Sequence, residues 1–211
     1  MAAQRLFAVR GVDGVSVQEI VTAAGQRNNG SVHYHFGGKD ALVRELVADG
    51  ARTINQTRLR MLADLETGTE PFGLRDVVEA LVKPVLEIRR PDGTLDLTYL
   101  RFVTNVQLNH RPLLREALDS KLNTGYRRCL DLIRSRADDW LPQVPAPLLD
   151  QRISFTGIYA NAILSAREAH LAGDDSGRLW TPANSVVNVI DSLVAVLESE
   201  PSSGAIQLLS D

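Results

Sequence analysis

The most informative segment of the chain is residues 16–39, which read SVQEIVTAAGQRNNGSVHYHFGGK. It opens with Ser16-Val-Gln-Glu19, the pattern of a capping box, in which a serine hydroxyl and a glutamate carboxylate satisfy free backbone N–H groups at a helix start. The helix predicted after it ends at Gly25 and carries apolar residues at the spacing of one helix face. Those residues are Val17, Ile20, Val21 and Ala24.

A second short helix is predicted after the polar turn 26–30, ending at Gly37-Gly38 just before a long helix. Val32 and Phe36, four residues apart, give it one apolar face. Two short helices joined by a glycine-containing turn are typical of a helix-turn-helix, and the major groove of B-DNA admits one helix. The positions that face outward can all form hydrogen bonds: Asn29, Ser31, His33 and Tyr34, with Lys39 just beyond. The segment therefore predicts an element that reads DNA.

The composition is that of an ordinary globular protein, with 44% hydrophobic and 23% charged residues in a chain of 211. No run approaches the roughly 20 consecutive apolar residues of a membrane span. The lone cysteine, Cys129, cannot form an internal disulfide, so we expect a reducing, cytoplasmic location and a buried thiol. No metal-ligand cluster, phosphate-binding glycine loop or nucleophile motif occurs in the sequence, so we expect no enzyme activity, metal or cofactor.

Helical periodicity runs through the whole chain, and the alternation of a β-strand is rare. We therefore predict an all-α fold of about nine helices. Residues 1–47 would form a helix-turn-helix domain and residues 48–211 a helical body. Prolines and glycines predict body helices over about 71–90, 95–109, 112–140 and 148–171, and a last one between Pro182 and Pro201. The final ten residues are expected to be frayed.

The net charge of −3 is divided unevenly along the chain. Residues 1–60 carry a net +3 and the remainder −6. Such an asymmetry suggests two surfaces with different partners, the basic one facing nucleic acid. Because residues 1–47 alone carry an excess of only +1, we expect DNA affinity to depend on the paired contacts of a dimer more than on bulk charge.

Residues 3–47 resemble the DNA-binding domain of the tetracycline-repressor (TetR) family of bacterial transcription regulators. The resemblance lies in three blocks: Ala3-x-x-Leu6-Phe7-x-x-x-Gly11, Ser16-Val17-x-x-Ile20-x-x-Ala23-Ala24-Gly25, and Val32-His33-Tyr34-His35-Phe36-Gly37-Gly38-Lys39-Asp40-x-Leu42. It implies a three-helix head followed by a helical body that binds an effector and dimerises. The family's first helix normally has another turn or two before Ala3, so we expect either that the native start codon lies upstream of Met1 or that the chain is truncated.

The resemblance also implies which residues meet DNA. Base readers would be Gln18, Asn29 and Ser31, and phosphate contacts would come from Ser16, Val17, Gly30, His33, Tyr34 and Lys39. The turn 26–31 is one residue longer than the commonest family spacing, so Arg27 and Asn28 stay candidates beside Asn29. The family's usual tyrosine stands here as His33, with Tyr34 next to it, and either could take that phosphate contact.

Two helices of the body, 148–171 and the last one, carry apolar residues on more of their surface than a single core contact requires. The resemblance implies that they pair with their copies in a homodimer, and the alternative is that both are central to a monomer's core. The dimer residues would be Phe155, Ile158, Ala162, Ile163, Val186, Ile190, Leu193 and Leu197.

A cavity for a small-molecule effector is implied by the resemblance as well. Its candidate contacts are Tyr99, Phe102, Asn105 and Tyr159, with ordinary core packing as the alternative for each. Because aromatic residues make up only 5% of the chain, we expect aliphatic walls and an apolar effector.

Together these patterns predict a ligand-responsive regulator that binds a palindromic, double-stranded DNA operator as a homodimer. As a repressor, it would leave the operator when a small molecule fills the body. Two alternatives stay open: a helical ligand-binding or interaction protein with a weakened DNA-binding head, and a helical enzyme.

Overall fold

The computed structural model describes residues 2–26, 36–118, 121–173, 180, 185–207 and 209. These residues form eleven helices, and their only β-type pairing is one antiparallel bridge between Arg89 and Leu95. In chain order the helices are α1 (Ala2–Arg10), α2 (Val17–Ala23), α3 (Lys39–Thr67), α4 (Leu74–Leu86), α5 (Tyr99–Asn109), α6 (Arg111–Ala117), α7 (Thr124–Ser135), α8 (Ala137–Trp140), α9 (Ala146–Leu171), α10 (Ser185–Glu198) and α11 (Ser203–Gln207). The all-α prediction is confirmed.

The start of α2 is the capping box expected from the sequence. The hydroxyl of Ser16 accepts from the backbone N–H of Glu19, and the carboxylate of Glu19 accepts from the backbone N–H of Ser16 over 2.8 Å. The preceding helix stops at Gly11, whose φ of 74° is a conformation that favours glycine. Helix α2 ends in the same way at Gly25, with a φ of 70°.

Helix α3 is 29 residues long and joins the N-terminal head to the body. The proposed domain boundary after residue 47 falls inside it, because its buried side chains serve two cores. Val43 and Val47 pack with the head and α5, whereas Leu62 packs with α4, α7, α9 and α10. A helix of this length is a rigid connector of about 1.5 Å per residue.

The expected helix over 112–140 is divided into α6, α7 and α8. Both α6 and α7 pack against α3, which one straight helix leaving α5 could not do. Helix α7 approaches α3 closely at Gly125, whose backbone N–H donates to the side chain of Asn55 over 2.7 Å. Tertiary packing thus breaks a segment that has helical periodicity throughout. The end of the chain also differs from expectation, since residues Ser203–Gln207 form a helix.

None of the helices in the described ranges is both long enough and apolar enough to span a membrane.

Candidate DNA-binding head and ligand cavity

Three of the predicted DNA contacts lie at the start of α2. Ser16 and Gln18 are exposed and Val17 is half-buried. The hydroxyl of Ser16 also donates to Glu19 over 2.7 Å, and Arg10 pairs with the same carboxylate over 2.6 Å. The backbone N–H of Ser16, together with Arg10, lowers the pKa of Glu19 to about 2. The capping box therefore holds Gln18 on a rigid, exposed turn.

Lys39 holds the head together from the first turn of α3. Its Nζ donates to the backbone oxygens of Val12 and Val15, over 3.1 and 3.3 Å. An ammonium has three donors, so one stays available for the phosphate contact predicted at this position. The other predicted DNA residues lie outside the described part of the chain: Arg27, Asn28, Asn29, Gly30, Ser31, His33 and Tyr34.

Helix α1 packs along α5 and so joins the head to the body. The rings of Phe7 and Phe102 stack with centroids 5.8 Å apart. The side-chain amide of Gln4 donates to Asp96 over 2.7 Å, just before α5 begins. Asn105 accepts from the backbone N–H of Val12 over 3.2 Å. Phe102 and Asn105, predicted as ligand contacts, therefore contact the head and do not line the cavity. For these two residues that prediction is wrong.

The body contains a cavity of about 260 Å³ bordered by α3, α4, α5, α6, α7, α9 and α10. Leu, Ile, Val and Ala side chains form most of its wall, as the low aromatic content predicted. The polar side chains that reach it are Arg58, Tyr99, Gln107, Asn123, Tyr126, Thr156 and Asn161.

Of the four predicted ligand contacts, Tyr99 alone lines this cavity. Its hydroxyl donates to the backbone oxygen of Val47 over 2.8 Å, and burial raises the pKa of the phenol. Tyr159 is 36% exposed on the opposite side of α9, where its hydroxyl meets that of Ser192 over 3.3 Å. The prediction for Tyr159 is wrong because its side chain lies on the exposed face of α9 and does not line the cavity.

Arg58, a charged residue that lines the cavity, was not predicted from the sequence. Its side chain is 6% exposed, and burial lowers the pKa of the guanidinium. Nε donates to the backbone oxygen of Ala80 over 3.0 Å and Nη2 to that of Leu81 over 2.8 Å. Pro84 explains this arrangement, because a proline has no N–H for the carbonyl four residues earlier, here Ala80. A signal existed: Arg58 lies midway between the buried Ile54 and Leu62, four residues from each.

The predicted dimer residues divide into two groups. Phe155, Ile158 and Ala162 on α9 are exposed, and Ile163 and Val186 are half-buried. Ile190, Leu193 and Leu197 are only 2%, 1% and 0% exposed, because this face of α10 packs into the chain's own core. They cannot meet a second chain, and the prediction is wrong for these three. Val187, half exposed, is the large apolar residue on the outer face of α10.

In the described ranges, no group of three or more His, Cys, Asp or Glu side chains is placed to hold a metal ion. Cys129 is fully buried in the body core, as expected, and burial raises the pKa of its thiol to about 11.

Residues 1–46 match the family described as bacterial regulatory proteins, tetR family. No curated protein matches the chain by sequence. Three solved structures of similar fold cover nearly the whole chain, at identities that show the fold alone. A protein described as belonging to the TetR family, from Mesorhizobium loti MAFF303099, is 22% identical, with 93% of this chain and 91% of that chain covered and a TM-score of 0.51.

The second is the transcriptional regulator FadR from Bacillus subtilis in complex with stearoyl-CoA, which is 17% identical, with 95% and 96% covered and a TM-score of 0.58. The third is the TetR family regulator PfmR from Thermus thermophilus, which is 16% identical, with 95% and 97% covered and a TM-score of 0.53. The family match covers the head, and the fold extends that likeness over the body. Residues 1–46 therefore match the tetR family of bacterial regulatory proteins, and the chain as a whole has the fold of these three regulators.

Proposed function

We propose that this protein is a homodimeric repressor that releases a palindromic DNA operator when a small molecule fills the cavity of the body. Residues 48–211 would bind the effector and dimerise, and residues 1–47 would bind DNA. The observation that carries the proposal is that one helix, α5, contacts both the cavity and the head. Tyr99 lines the cavity, and Phe102 and Asn105 on the same helix contact α1.

A ligand can change DNA affinity only if it favours one arrangement of the heads over another. Tyr99 is placed to transmit such a preference, because it packs between the cavity and α3. A Cβ on Gly50 of α3 would stand only 2.1 Å from the Tyr99 ring, so the two helices are in backbone-to-ring contact there. A ligand that displaces Tyr99 must therefore also displace α3, whose first residue, Lys39, holds the head.

The outer face of α9 supports dimerisation. Phe155, Ile158, Tyr159 and Ala162 lie at i, i+3, i+4 and i+7 and are all exposed. A stripe of this kind marks a surface that another protein covers. A second copy suits it, since one helix-turn-helix has limited specificity whereas two related by two-fold symmetry read two half-sites.

The FadR structure supports a ligand in the body, since that protein of the same fold holds stearoyl-CoA. Because the two chains are only 17% identical, the FadR structure does not identify the ligand of this protein.

Fluorescence anisotropy with a duplex selected from random DNA tests the proposal. We expect binding that weakens steeply as salt rises, because each phosphate contact releases a counterion. Asn29→Ala and Lys39→Ala should each weaken it, whereas Arg60→Ala, an exposed change on the distal part of α3, should not. A helical ligand-binding protein with a weakened head would bind all duplexes equally poorly, and that result would contradict the proposal.

A further inference from the structure

Arg58 is a buried charge without an acidic partner. Among the residues that the structure describes, no carboxylate forms an ion pair with it, and the nearest titratable groups are Tyr99, Tyr126 and Cys129, all uncharged at neutral pH. Burying a cation without a counter-charge is unfavourable, because the desolvation of the charge is not compensated. The hydrogen bond from Arg58 satisfies the Ala80 carbonyl, but a neutral donor would do the same. The positive charge at this position therefore needs another explanation.

The guanidinium also has donors to spare. Two of its five N–H groups reach the carbonyls of Ala80 and Leu81, and no described residue accepts from Nη1. Because Arg58 lines the cavity, these remaining donors are available to a molecule bound inside it. Two N–H groups on one guanidinium match the two oxygens of a carboxylate.

A second polar group in the cavity wall lacks a partner. Thr156 is 5% exposed, and its hydroxyl has no hydrogen-bond partner among the described residues. Tyr126 lies near both elements: its ring is 5.8 Å from the guanidinium carbon of Arg58, and a Cβ on Gly157, the residue after Thr156, would stand 3.0 Å from its hydroxyl. An unpaired buried hydroxyl costs free energy that a bound acceptor would recover.

Three other polar side chains of the wall, those of Asn161, Gln107 and Tyr99, are already engaged in hydrogen bonds. Asn161 donates to Gln107 over 3.0 Å, and Tyr99 donates to the backbone of α3. The remaining surface is mostly aliphatic. The cavity therefore combines one cationic corner with an apolar interior.

We propose that the effector is an aliphatic carboxylic acid, whose carboxylate pairs with Arg58 and accepts from Thr156 while its chain fills the apolar part of the cavity. This inference rests on the proposed function for its regulatory meaning, but the binding itself requires no DNA. It sharpens the expectation of an apolar effector, because a neutral hydrocarbon would leave both polar groups without partners.

Isothermal titration calorimetry of the full chain with decanoate and with decan-1-ol tests the inference. The two probes have the same alkyl tail and differ in the charge of their polar end group. We expect decanoate to bind at least about tenfold more tightly than the alcohol, as charge-assisted hydrogen bonds imply. Equal affinities for decanoate and decan-1-ol would overturn the proposal. So would the absence of binding heat for every acid in a series from hexanoate to palmitate.

Variants of Arg58 and Thr156 test whether the carboxylate of decanoate binds at these two residues. Thr156→Val and Arg58→Met should each weaken decanoate several-fold and leave the alcohol unchanged, whereas Arg60→Met, on the exposed side of α3, should change neither. Because Arg58→Met uncaps Ala80, it is also made with Pro84→Ala, which restores the helical donor. A folded double variant that still prefers decanoate would contradict the assignment. Failure of the proposed function is visible separately, as loss of DNA binding in the absence of any acid.

Discussion

The side chain of Asn105 accepts a hydrogen bond from the backbone N–H of Val12 over 3.2 Å. The carbonyl of the same Val12 accepts from Nζ of Lys39 over 3.1 Å. One peptide segment in the head thus connects α5, which borders the cavity, to the first residue of α3. Since Lys39 directly follows the segment predicted to read DNA, this connection leads from a helix of the cavity wall to the residue beside that segment.

Asn105→Ala should reduce the coupling between ligand and DNA while leaving the cavity intact. The Val12 N–H would lose its partner, at a cost of about 1–3 kcal/mol in the free energy of unfolding. Anisotropy titrations of the selected duplex with and without a saturating cavity ligand measure the coupling, and we expect the ratio of the two affinities to move toward one. Asn109→Ala, on the exposed end of α5, is the control. An unchanged ratio in the Asn105 variant would rule out this route.

Lys39→Met should affect both stability and DNA binding. Loss of the bonds to Val12 and Val15 should lower the free energy of unfolding by about 1–3 kcal/mol. If the third donor contacts a phosphate, the slope of log affinity against log salt should also fall by about one. Urea unfolding and salt titrations measure the two effects independently. A loss of stability with an unchanged salt slope would assign Lys39 to structure alone.

The dimer should depend on the outer face of α9. Replacing Phe155 and Ile158 by glutamate places two charges in the proposed interface, and sedimentation should then show a monomer with helicity retained. Leu108→Glu is a matched control, because Leu108 is 60% exposed on a different helix, α5. A double variant that still sediments as a dimer would show that the second copy binds elsewhere.

Filling the cavity from α5 should imitate the ligand. Val103→Phe adds bulk at a wall position, and we expect DNA affinity to fall at least about tenfold without any effector. Leu108→Phe makes a similar addition on the exposed side of the same helix and should not alter affinity. Circular dichroism confirms that both variants are folded. Unaltered DNA binding by a folded Val103→Phe protein would count against coupling through α5.

Glu168 should make stability depend on pH. It lies on α9 and accepts from the backbone N–H groups of Leu100 and Arg101, over 3.0 Å each, and burial raises its pKa from 4.5 to about 7. Because the folded state holds the proton more tightly, this contribution is fully present below pH 4.5 and is lost as pH rises through 7. Denaturant unfolding should show a loss of up to about 3 kcal/mol between pH 5 and 8. In Glu168→Gln that loss should disappear, and an equal slope in both proteins would be the contrary result.

Features that depend on neighbours in the chain were predictable from the sequence. The capping box at Ser16 and Glu19 and the helix ends at Gly11 and Gly25 follow from local hydrogen bonding and from the freedom of glycine at positive φ. The all-α fold followed from periodicity. These features required no knowledge of what packs against each helix.

Features that depend on distant partners were not predictable. An apolar stripe such as Ile190, Leu193 and Leu197 shows that something covers it, but the covering helix belongs to the same chain. Arg58 acquires its position from Pro84, 26 residues later, and no local pattern relates the two. Phe102 and Asn105 have the residue types of a ligand site, yet the path of α1 assigns them to the head.

Selection of bound sequences from random duplex DNA, followed by sedimentation of the complex, tests most directly whether the protein regulates transcription as a dimer that reads an operator. We expect enrichment of an inverted repeat whose half-sites are separated by about one or more helical turns, with two chains bound to each repeat. Enrichment of no sequence, or of a single half-site occupied by one chain, would contradict it.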